Sequence, residues 1–441
     1  MNTSSYPAYK DSKSEWMGAI PTDWGEEPIK HAVTLVNGAV FKPDSWSESG
    51  VPIVRIENLN GGESYNYCDH FVSPRYHLHK GDLVFAWSGN RGTSFGPFIW
   101  DRDGLYYLNQ HIFKVVEHNF DDRWLYWTMK ALTHHVEEKA HGIIGMVHIT
   151  KGELGEIRIP KIDRHEQTAI ANFLDRETAK IDTLIDKQRQ LIKLLEEKRQ
   201  AVISHAVTKG LNPDVRMKDS GVEWLGEVPE HWDMKRLKHI IATLESGTSV
   251  NAEDTPASDG HIGVLKTSCV YTREFRGDEN KTVFEYEITR VKCPVRAGQI
   301  IISRMNTPDL VGAAAYVDRE YEGIYLPDRL WQTCFTDERN QDANYIALYM
   351  GISGFRDQIS IYAEGASGSM RSIAKEDFLN LPVLLPPSEE QAHIAREVEV
   401  RLRTLDNARH NGRRQIELLH ERRTALISAA VTGKIDVRNA V

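Results

Sequence analysis

The sequence predicts an α+β protein in which two α+β domains are joined by two long helices that form an antiparallel coiled coil, as an internal pseudo-two-fold repeat. Three observations lead to this fold class. A short tryptophan-containing phrase occurs twice, a longer segment at the end of each half is also repeated, and both copies of that segment carry a heptad spacing of apolar residues. Such repeats indicate a chain built from two copies of one arrangement. The 441 residues suffice for two or three domains.

The tryptophan motif is the first of the two repeats. Residues 15–24 read EWMGAIPTDW and residues 223–232 read EWLGEVPEHW, so Glu, Trp, Gly, Pro and Trp recur with identical spacing at an offset of 208 (223 minus 15). Trp24 and Trp232 end the two copies. We interpret both side chains as structural residues that pack the start of each domain.

The second repeat is a segment that ends each half. Residues 146–211 align without a gap to residues 370–435, at an offset of 224 (370 minus 146). Met146 and Met370 match, and a Glu-Gln pair at 166–167 recurs at 390–391. Because this offset exceeds the first one, the segment between the two repeats is longer in the second half.

The variable middle segments, 33–145 and 241–369, share little identity but contain the same kinds of element. Each has two strand-like runs rich in branched and aromatic residues, followed by an amphipathic helical pattern. In the first half these are Pro52–Ile56, Gly81–Phe85 and a helix around 123–140; in the second they are Ile262–Leu265, Gly298–Ile302 and a helix around 343–363. Both middle segments are therefore predicted to be α+β domains.

A heptad seam runs through each repeated segment, because apolar residues recur at alternating steps of four and three. Its predicted members are Ile181, Ile185, Gln188, Ile192, Leu195 and Val202 in the first copy and Leu405, Ile416, Leu419 and Leu426 in the second, with Arg199, Arg409, Gly412 and Arg423 at the remaining seam positions. The two stripes predict that the helices pack together antiparallel. The alternative is that each helix covers only its own domain.

Local signals mark the ends of these helices. Asp163-x-x-Glu166 and Ser388-x-x-Gln391 resemble capping boxes, and Gly210 and Gly433 stand where each heptad pattern stops. The predicted division of the chain is a first α+β domain, a first long helix, a second α+β domain, and a second long helix with a C-terminal tail. Their limits are 1–160, 161–211, 212–385 and 386–441.

Composition and motifs exclude several classes of function. The net charge of −9 argues against a protein that coats nucleic acid by bulk electrostatic attraction. A chain with this net charge can still have local basic faces that bind DNA. Four cysteines without a C-x-x-C pair predict neither a zinc site nor disulfides. The chain has no apolar run of membrane-spanning length and no signal-peptide pattern at its start, so we expect a cytoplasmic protein without membrane contact.

Catalytic motifs are absent from the sequence as well. It contains no phosphate-binding G-x-x-x-x-G-K-[ST] loop and no Asn or Asp followed by Pro-Pro-aromatic, with which amino methyltransferases hold a flipped base. It also lacks a glycine-rich turn suited to adenosylmethionine. We therefore expect no catalytic residues, no metal site and no enzymatic activity of the chain on its own.

The doubled order of tryptophan motif, variable domain and Glu-Gln-led long helix resembles the specificity (S) subunit of type I restriction-modification enzymes, over essentially the whole chain. The resemblance implies that each variable domain is a target recognition domain that reads one half of a bipartite, asymmetric DNA sequence. It also implies that the coiled coil sets the spacer, which is the number of unread base pairs between the two half-sites, and that it docks two methyltransferase subunits. The complex then directs adenine methylation, and restriction and translocase subunits join it. Adenosylmethionine, ATP and Mg²⁺ are then expected in the partner subunits, and no cofactor in this chain.

Two further expectations follow from this resemblance. One added turn of helix, about 5.4 Å, would lengthen the unread spacer by one or two base pairs. Candidate DNA contacts are Lys, Arg, Asn and Thr side chains beside predicted strands in loop-like surroundings, because Arg and Lys favour guanine, Asn favours adenine, and many donors bind phosphate. They are Lys42, Arg55, Asn58, Asn60, Asn90, Arg91 and Thr93 in the first domain, and Lys266, Thr267, Arg273, Arg304, Asn306, Arg329 and Arg371 in the second.

Two other functions fit the sequence less well than that of a specificity subunit. A fused enzyme that both modifies and cuts DNA would need a catalytic domain, but the two repeats occupy the chain. A duplicated coiled-coil scaffold that binds only protein is the alternative, and the acidic net charge favours it mildly. The doubled tryptophan motif favours the specificity subunit.

Overall fold

The computed structural model describes residues 4–139, 146–337, 340–367 and 370–438. Its contacts divide the chain into two units: the first consists of Met1–Arg189 and Arg413–Val441, and the second of Gln190–Gly412. Each unit contains an α+β part, here called its head, together with a segment of each long helix. The division of the chain into the four predicted segments stays a prediction.

Nine α-helices lie in the described ranges, and two of them are far longer than the rest. They are α1 (Ile29–Ala32), α2 (Ile56–Leu59), α3 (Asp122–Lys139), α4 (Lys151–Glu156), α5 (Arg164–Lys209), α6 (Ala343–Met350), α7 (Ser353–Tyr362), α8 (Lys375–Asn380) and α9 (Ser388–Val431). Short 3-10 turns occupy Pro43–Ser45, Pro74–Tyr76, Leu237–His239, Thr267–Val270 and Glu285–Arg290.

The first head contains two four-stranded sheets and three two-stranded ladders. Its strands are β1 (Tyr9–Asp11), β2 (Ala19–Pro21), β3 (Gly25–Pro28), β4 (Thr34–Asn37), β5 (Val51–Val54), β6 (Asn66–Cys68), β7 (His77–Leu78), β8 (Leu83–Ala86), β9 (Ser88–Asn90), β10 (Gly96–Ile99), β11 (Tyr106–Leu108), β12 (Ile112–Val116), β13 (Met146–His148) and β14 (Arg158–Lys161). The sheets have the orders β10-β8-β12-β4 and β6-β5-β11-β7, and the ladders are β1-β2, β13-β9 and β14-β3.

The second head has a similar topology, although its strands do not match those of the first head one for one. Its strands are β15 (Met217–Asp219), β16 (Glu227–Pro229), β17 (Asp233–Arg236), β18 (Ile241–Ser246), β19 (Ala252–Glu253), β20 (Gly263–Leu265), β21 (Asn280–Val283), β22 (Ile300–Ser303), β23 (Met305–Asn306), β24 (Ala314–Tyr316), β25 (Ile324–Tyr325), β26 (Leu330–Phe335), β27 (Glu364–Ser367), β28 (Met370–Ser372) and β29 (Pro382–Leu385). The orders are β18-β26-β22-β24 and β19-β21-β20-β25, with β23-β28-β27, β17-β29 and β15-β16 beside them.

The glycine-led apolar run found in the sequence forms an inner strand of one four-stranded sheet in each head: β8 in the first head and β22 in the second. All four residues of β8 are buried, and so are all four of β22. Strands covered on both faces read as continuous apolar runs rather than alternating ones. Gly81 and Gly298 precede these strands with φ of 92° and 77°, a conformation that favours glycine. The predicted strands are therefore present, and they begin two residues after the glycine.

The helix predicted around 343–363 is wrong as a single helix, because the structure has two. Gly351 ends α6, and Gly354 lies so close to Trp224 that a Cβ atom would come within 2.0 Å of its ring. Gly354 lies in the first turn of α7, where the absence of a side chain leaves room for this tryptophan. The first-head helix matches its prediction closely, although residue 140 lies outside the described residues.

The tryptophan motif packs against the glycine that ends a long helix. In the first unit Trp24 is 2% exposed and contacts Gly433, and in the second unit Trp232 is 0% exposed and contacts Gly210. Both glycines have positive φ, as expected just after a helix C-terminus. The motif recurs because each unit needs one tryptophan to cover one helix end.

The repeated Glu-Gln pair joins each long helix to its head. The Gln167 side chain accepts a hydrogen bond from the Asp121 amide at 2.8 Å and donates to the Ile162 carbonyl at 2.8 Å. In the second unit Gln391 likewise accepts from the Asp342 amide at 3.0 Å and donates to the carbonyl of Pro386 at 2.8 Å. Asp121 and Asp342 each precede a head helix, so one glutamine fixes two helix starts.

The capping predictions differ between the two long helices. Asp163 accepts a hydrogen bond from the Glu166 amide at 2.9 Å, as a capping residue does. Ser388 is instead the first residue of α9, so the second predicted capping box is wrong. Gln391 serves the helix start by binding the Pro386 carbonyl rather than a serine amide.

Within each unit, the segments of α5 and α9 run antiparallel. In the second unit Arg199 pairs with Asp406, and Glu196 pairs with Arg409, so sequence positions advance in opposite directions. All predicted seam residues are buried or half-buried. In the first unit the seam includes Ile181 and Ile185, which are 4% and 3% exposed. The predicted fold class is confirmed.

The first unit is closed by contacts between the two ends of its sequence. The Asp436 amide donates to the Ser4 carbonyl at 2.7 Å, and the Tyr6 hydroxyl donates to Glu166 at 2.7 Å. Arg438 lies 4.8 Å above the Tyr6 ring. Burial, together with the bond to Glu166, raises the pKa of Tyr6. Residues 436–438 therefore form part of the same unit as the first strands.

Candidate nucleic-acid interface

One short strand pairing in each head, here called its edge, carries several of the predicted DNA contacts. In the first head β9 pairs with β13, placing Asn90 opposite Met146 and Ser88 opposite His148. In the second head β23 pairs with β28, placing Met305 opposite Ser372. The first strand of each edge directly follows the buried central strand, and the second begins the repeated segment, so both heads present the same edge.

Three predicted first-head contacts share one loop next to this edge. The Asn90 carbonyl accepts hydrogen bonds from the amides of Thr93, Ser94 and Phe95, and the Ser94 hydroxyl accepts one from the Asn90 amide at 2.7 Å. These bonds hold a compact turn in which the side chains of Asn90, Arg91 and Thr93 are exposed. The backbone of this turn is already fixed by hydrogen bonds, so these side chains can contact a ligand without a change in backbone conformation.

The other first-head candidates surround the end of β5. Arg55 donates to Asn66 at 2.8 Å and lies 5.7 Å from the Trp46 ring, while Lys42 and Asn60 are exposed. Asn58 is 2% exposed, and its amide group binds the Arg55 amide and the carbonyls of Gly62 and Ser64. Asn58 thus shapes this loop, and its polar atoms are already used within it.

Three second-head candidates make contacts inside their own unit. Lys266 forms an ion pair with Asp254 at 3.1 Å, and the Thr267 hydroxyl bonds to that of Tyr271 at 2.8 Å. Arg273 has a φ of 64° and donates to Gln200 of α5. Arg273 also lines a cavity of about 560 Å³ against both long helices. This arginine is therefore directed towards the helices of its unit.

The remaining second-head candidates lie at the β23–β28 edge. Asn306 is 7% exposed, and its side chain donates to Tyr271 at 2.9 Å and accepts from the Thr307 amide at 2.9 Å. Arg329 and Arg371 are exposed, and Arg304 is half-buried. The Arg304 amide donates to the Arg329 carbonyl at 3.1 Å, which brings these two residues together.

Sequence reasoning missed three residues at the equivalent edge of the first head. The Trp87 ring lies 5.2 Å from that of His111 and 4.9 Å from that of His148, and both histidines are exposed. The Trp87 indole donates to the Gln110 carbonyl at 2.9 Å. The three residues are far apart in the sequence, but an aromatic residue directly after the central strand is a signal that could have found Trp87.

Across residues 4–139, 146–337, 340–367 and 370–438, no group of three or more His, Cys, Asp or Glu is arranged to hold a metal ion. In those same ranges no helix is long and apolar enough to cross a bilayer. The four cysteines are unbridged.

Comparison with known proteins identifies the family. The model of the type I restriction modification DNA specificity domain matches residues 21–194 and again residues 229–418. The chain belongs to this specificity family. Each match covers most of one head and the first part of the long helix that follows it.

Curated relatives support this membership of the specificity family. The MjaVIII specificity subunit of Methanocaldococcus jannaschii is 22% identical over 95% of this chain and 95% of its own length. The EcoEI specificity subunit of Escherichia coli is 24% identical over 54% of this chain and 40% of its own length. A solved chain from work on complex assembly and conformational transition of the type I R-M system has a TM-score of 0.61 at 16% identity, covering 93% of this chain and 98% of that one. This likeness supports the fold.

The long helices of this specificity-family chain carry equivalent ion pairs in the two units. Arg423 binds Asp182 at 3.1 Å in the first unit, and Arg199 lies 3.5 Å from Asp406 in the second. These residues correspond at the offset of 224 (423 minus 199 and 406 minus 182). In the first unit Arg423 also lies 5.7 Å from the Trp127 ring. Burial, with Arg423 nearby, lowers the pKa of Lys130.

Charge reversal at Arg199 is expected to lower the free energy of unfolding of the second unit by about 3 kcal/mol, because a buried charge without its partner is costly. Arg199 has only 10% of its side chain exposed and contacts both Asp406 and Glu274. Arg199→Glu would therefore bring three carboxylates together. Arg199→Met keeps the apolar stem and adds no charge; because Asp406 retains its pair with Arg409 at 3.1 Å and Glu274 is 59% exposed, the loss is expected to be about 1 kcal/mol or less. Urea unfolding of both variants tests this, and equal losses would contradict it.

Proposed function

We propose that the chain is the DNA-reading subunit of a type I restriction-modification complex, and that each head reads one half of a bipartite, asymmetric target. The observation that carries the proposal is the pair of equivalent edges. β9–β13 and β23–β28 have the same place in their heads, but they present different side chains. Equal scaffolds with unequal surfaces suit two unequal half-sites. Specific contacts are made at base edges, and such local reading is compatible with a net charge of −9.

In this proposal the two long helices connect the heads and set the number of unread base pairs. Two methyltransferase subunits dock on them and methylate adenine, and restriction and translocase subunits complete the complex. Adenosylmethionine, ATP and Mg²⁺ belong to those partners, and this chain supplies the DNA specificity alone. The fourteen candidate contacts remain predictions, of which Asn90, Arg91, Thr93, Arg329 and Arg371 have exposed side chains at or next to the edges.

Methylation mapping tests the proposal. The chain is co-expressed with the methyltransferase encoded beside its gene, and methylated adenines are mapped across the genome by single-molecule sequencing. We expect one split motif that disappears when this chain is omitted and the methyltransferase is retained. If an active methyltransferase gives no chain-dependent motif, DNA reading is refuted and the protein-binding scaffold becomes the better explanation.

A further inference from the structure

Backbone hydrogen bonds define equivalent positions in the two heads. In the first head the Trp87 amide donates to the His111 carbonyl at 3.3 Å, and the Trp87 carbonyl accepts from the Ile149 amide at 3.0 Å. Trp87 therefore links the central sheet to the start of the repeated segment. His148 stands one residue before Ile149, on the strand that pairs with Ser88.

The second head makes the same bonds with different residues. The Arg304 amide donates to the Arg329 carbonyl at 3.1 Å, and the Arg304 carbonyl accepts from the Ile373 amide at 3.1 Å. Arg304 is thus the counterpart of Trp87, and Arg329 is the counterpart of His111. Arg371, on the strand that pairs with β23 opposite Asn306, is exposed like Arg329, whereas Arg304 is half-buried.

The two sets of side chains differ in chemistry. Trp87, His111 and His148, here called the first-head triad, form a cluster in which a half-buried indole supports two exposed imidazoles. Each imidazole offers a ring N–H or an acceptor nitrogen to a ligand. The indole N–H is used by the Gln110 carbonyl, which fixes the ring in place.

The second-head triad, Arg304, Arg329 and Arg371, is cationic. Among the described residues, no carboxylate lies within 4.0 Å of any of these three guanidinium groups. Arg371 donates one hydrogen bond to the Ala363 carbonyl at 3.0 Å, and the Arg304 Nε is buried without a hydrogen-bond partner in the described part of the chain. Three arginines on neighbouring backbone segments without a neutralising acid suit an anionic ligand, and guanidinium groups bind phosphate and guanine in bidentate fashion.

We propose that the two triads are the principal DNA contacts of the two heads and that they bind their half-sites by different chemistry. In the first head His111 and His148 contact base edges through hydrogen bonds of their imidazole rings, and Trp87 is a positioning residue that holds both rings. In the second head the arginines contact phosphate and guanine as permanent charges. This inference rests on the proposed function, because it assigns residues to the two half-sites.

The different chemistry predicts different responses to salt. Each phosphate contact made by a cation contributes about 0.9 to the slope of log affinity against log salt. Arg304→Gln with Arg329→Gln should lower that slope by one to two, and it should relax base preference in one half-site. His111→Ala with His148→Ala should relax base preference in the other half-site by roughly ten- to hundredfold. Its salt slope should stay unchanged, because these side chains are proposed to contact base edges and not phosphates.

The experiment uses the full chain with its methyltransferase partner and the split motif found by methylation mapping. Duplex libraries with either half-site randomised are selected for binding at several salt concentrations. His134→Ala and Arg276→Gln are matched controls, because His134 is exposed on α3 beside Glu138 and Arg276 already pairs with Asp278. Both controls should keep the wild-type motif and salt slope. Circular dichroism checks folding, and His111→Gln with His148→Asn replaces the alanine pair if that pair unfolds.

The outcomes separate this inference from the proposed function. Loss of preference confined to one half-site for each double variant supports the two triads. A wild-type complex that selects a split motif, with double variants that keep both half-sites or lose both equally, overturns the triads but leaves DNA reading in place. A wild-type complex that selects no motif refutes the proposed function itself.

Discussion

Trp232→Ala is expected to lower the free energy of unfolding of the second unit by about 3–5 kcal/mol, the usual cost of deleting a buried aromatic side chain. Trp232 is completely buried and packs edge-on against Tyr345, with ring centroids 6.5 Å apart. It also covers Gly210 at the end of α5. The substitution would leave a cavity where the head meets the helix end. Hydrogen exchange of residues 190–412 during denaturant unfolding measures the loss.

A second tryptophan provides the control for this prediction. Trp46 is 40% exposed and lies in the first unit, so Trp46→Ala should change stability by less than about 1 kcal/mol. Trp24→Ala, the counterpart of the test variant, should destabilise residues of the first unit instead. Equal and small effects of Trp232→Ala and Trp46→Ala would show that the tryptophan motif does not hold the head to its helix.

Inserting one heptad into each long helix is expected to abolish methylation at the native motif. An insertion of seven residues after Arg189 and another of seven after Gly412 preserve the heptad seam and lengthen each helix by about 10 Å. This corresponds to about three base pairs of duplex, so the complex should methylate a motif whose unread spacer is longer by that amount. Three base pairs also rotate one half-site by about 100° around the duplex, so methylation at the new spacing should be weaker.

A loop insertion of equal length separates the helix effect from general disruption. Gly260 lies in an exposed turn of the second head with a φ of 83°, so seven residues placed there should leave the spacer unchanged. The methylated motif of the wild-type chain, the heptad variant and the loop variant is determined by methylation mapping. A heptad variant that is folded and active but keeps the native spacer would show that the helices do not set the separation of the half-sites.

The repeated elements were predictable from the sequence because the same physical constraint appears twice in the chain. Heptad spacing must persist along a seam, so Ile181 and Leu419 could be assigned without knowledge of the fold. The break near Gly351 was not predictable from pattern alone, since the amphipathic spacing continues beyond it. Gly351 caps α6, and Gly354 in the first turn of α7 leaves room for Trp224, which is distant in the sequence.

The candidate interface was less predictable, because its side chains are assembled by strand pairing. Trp87, His111 and His148 meet only when β9, β12 and β13 have come together, and no local motif connects them. Asn58 had the composition expected of a DNA contact, but its amide is used to close its own loop. Residue type therefore indicated a suitable class of side chain, while pairing and burial determine which members face outward.

The contacts of residues 4–6 with residues 436–438 have a consequence for synthesis of the protein. Domains usually fold in the order in which they leave the ribosome. Here the second unit, Gln190–Gly412, is complete before the last segment of α9 has been translated, whereas the first unit still lacks Ile427, Val431 and Asp436. The head made first therefore completes its core last, and until then the apolar surface that Ile427 and Val431 cover stays exposed.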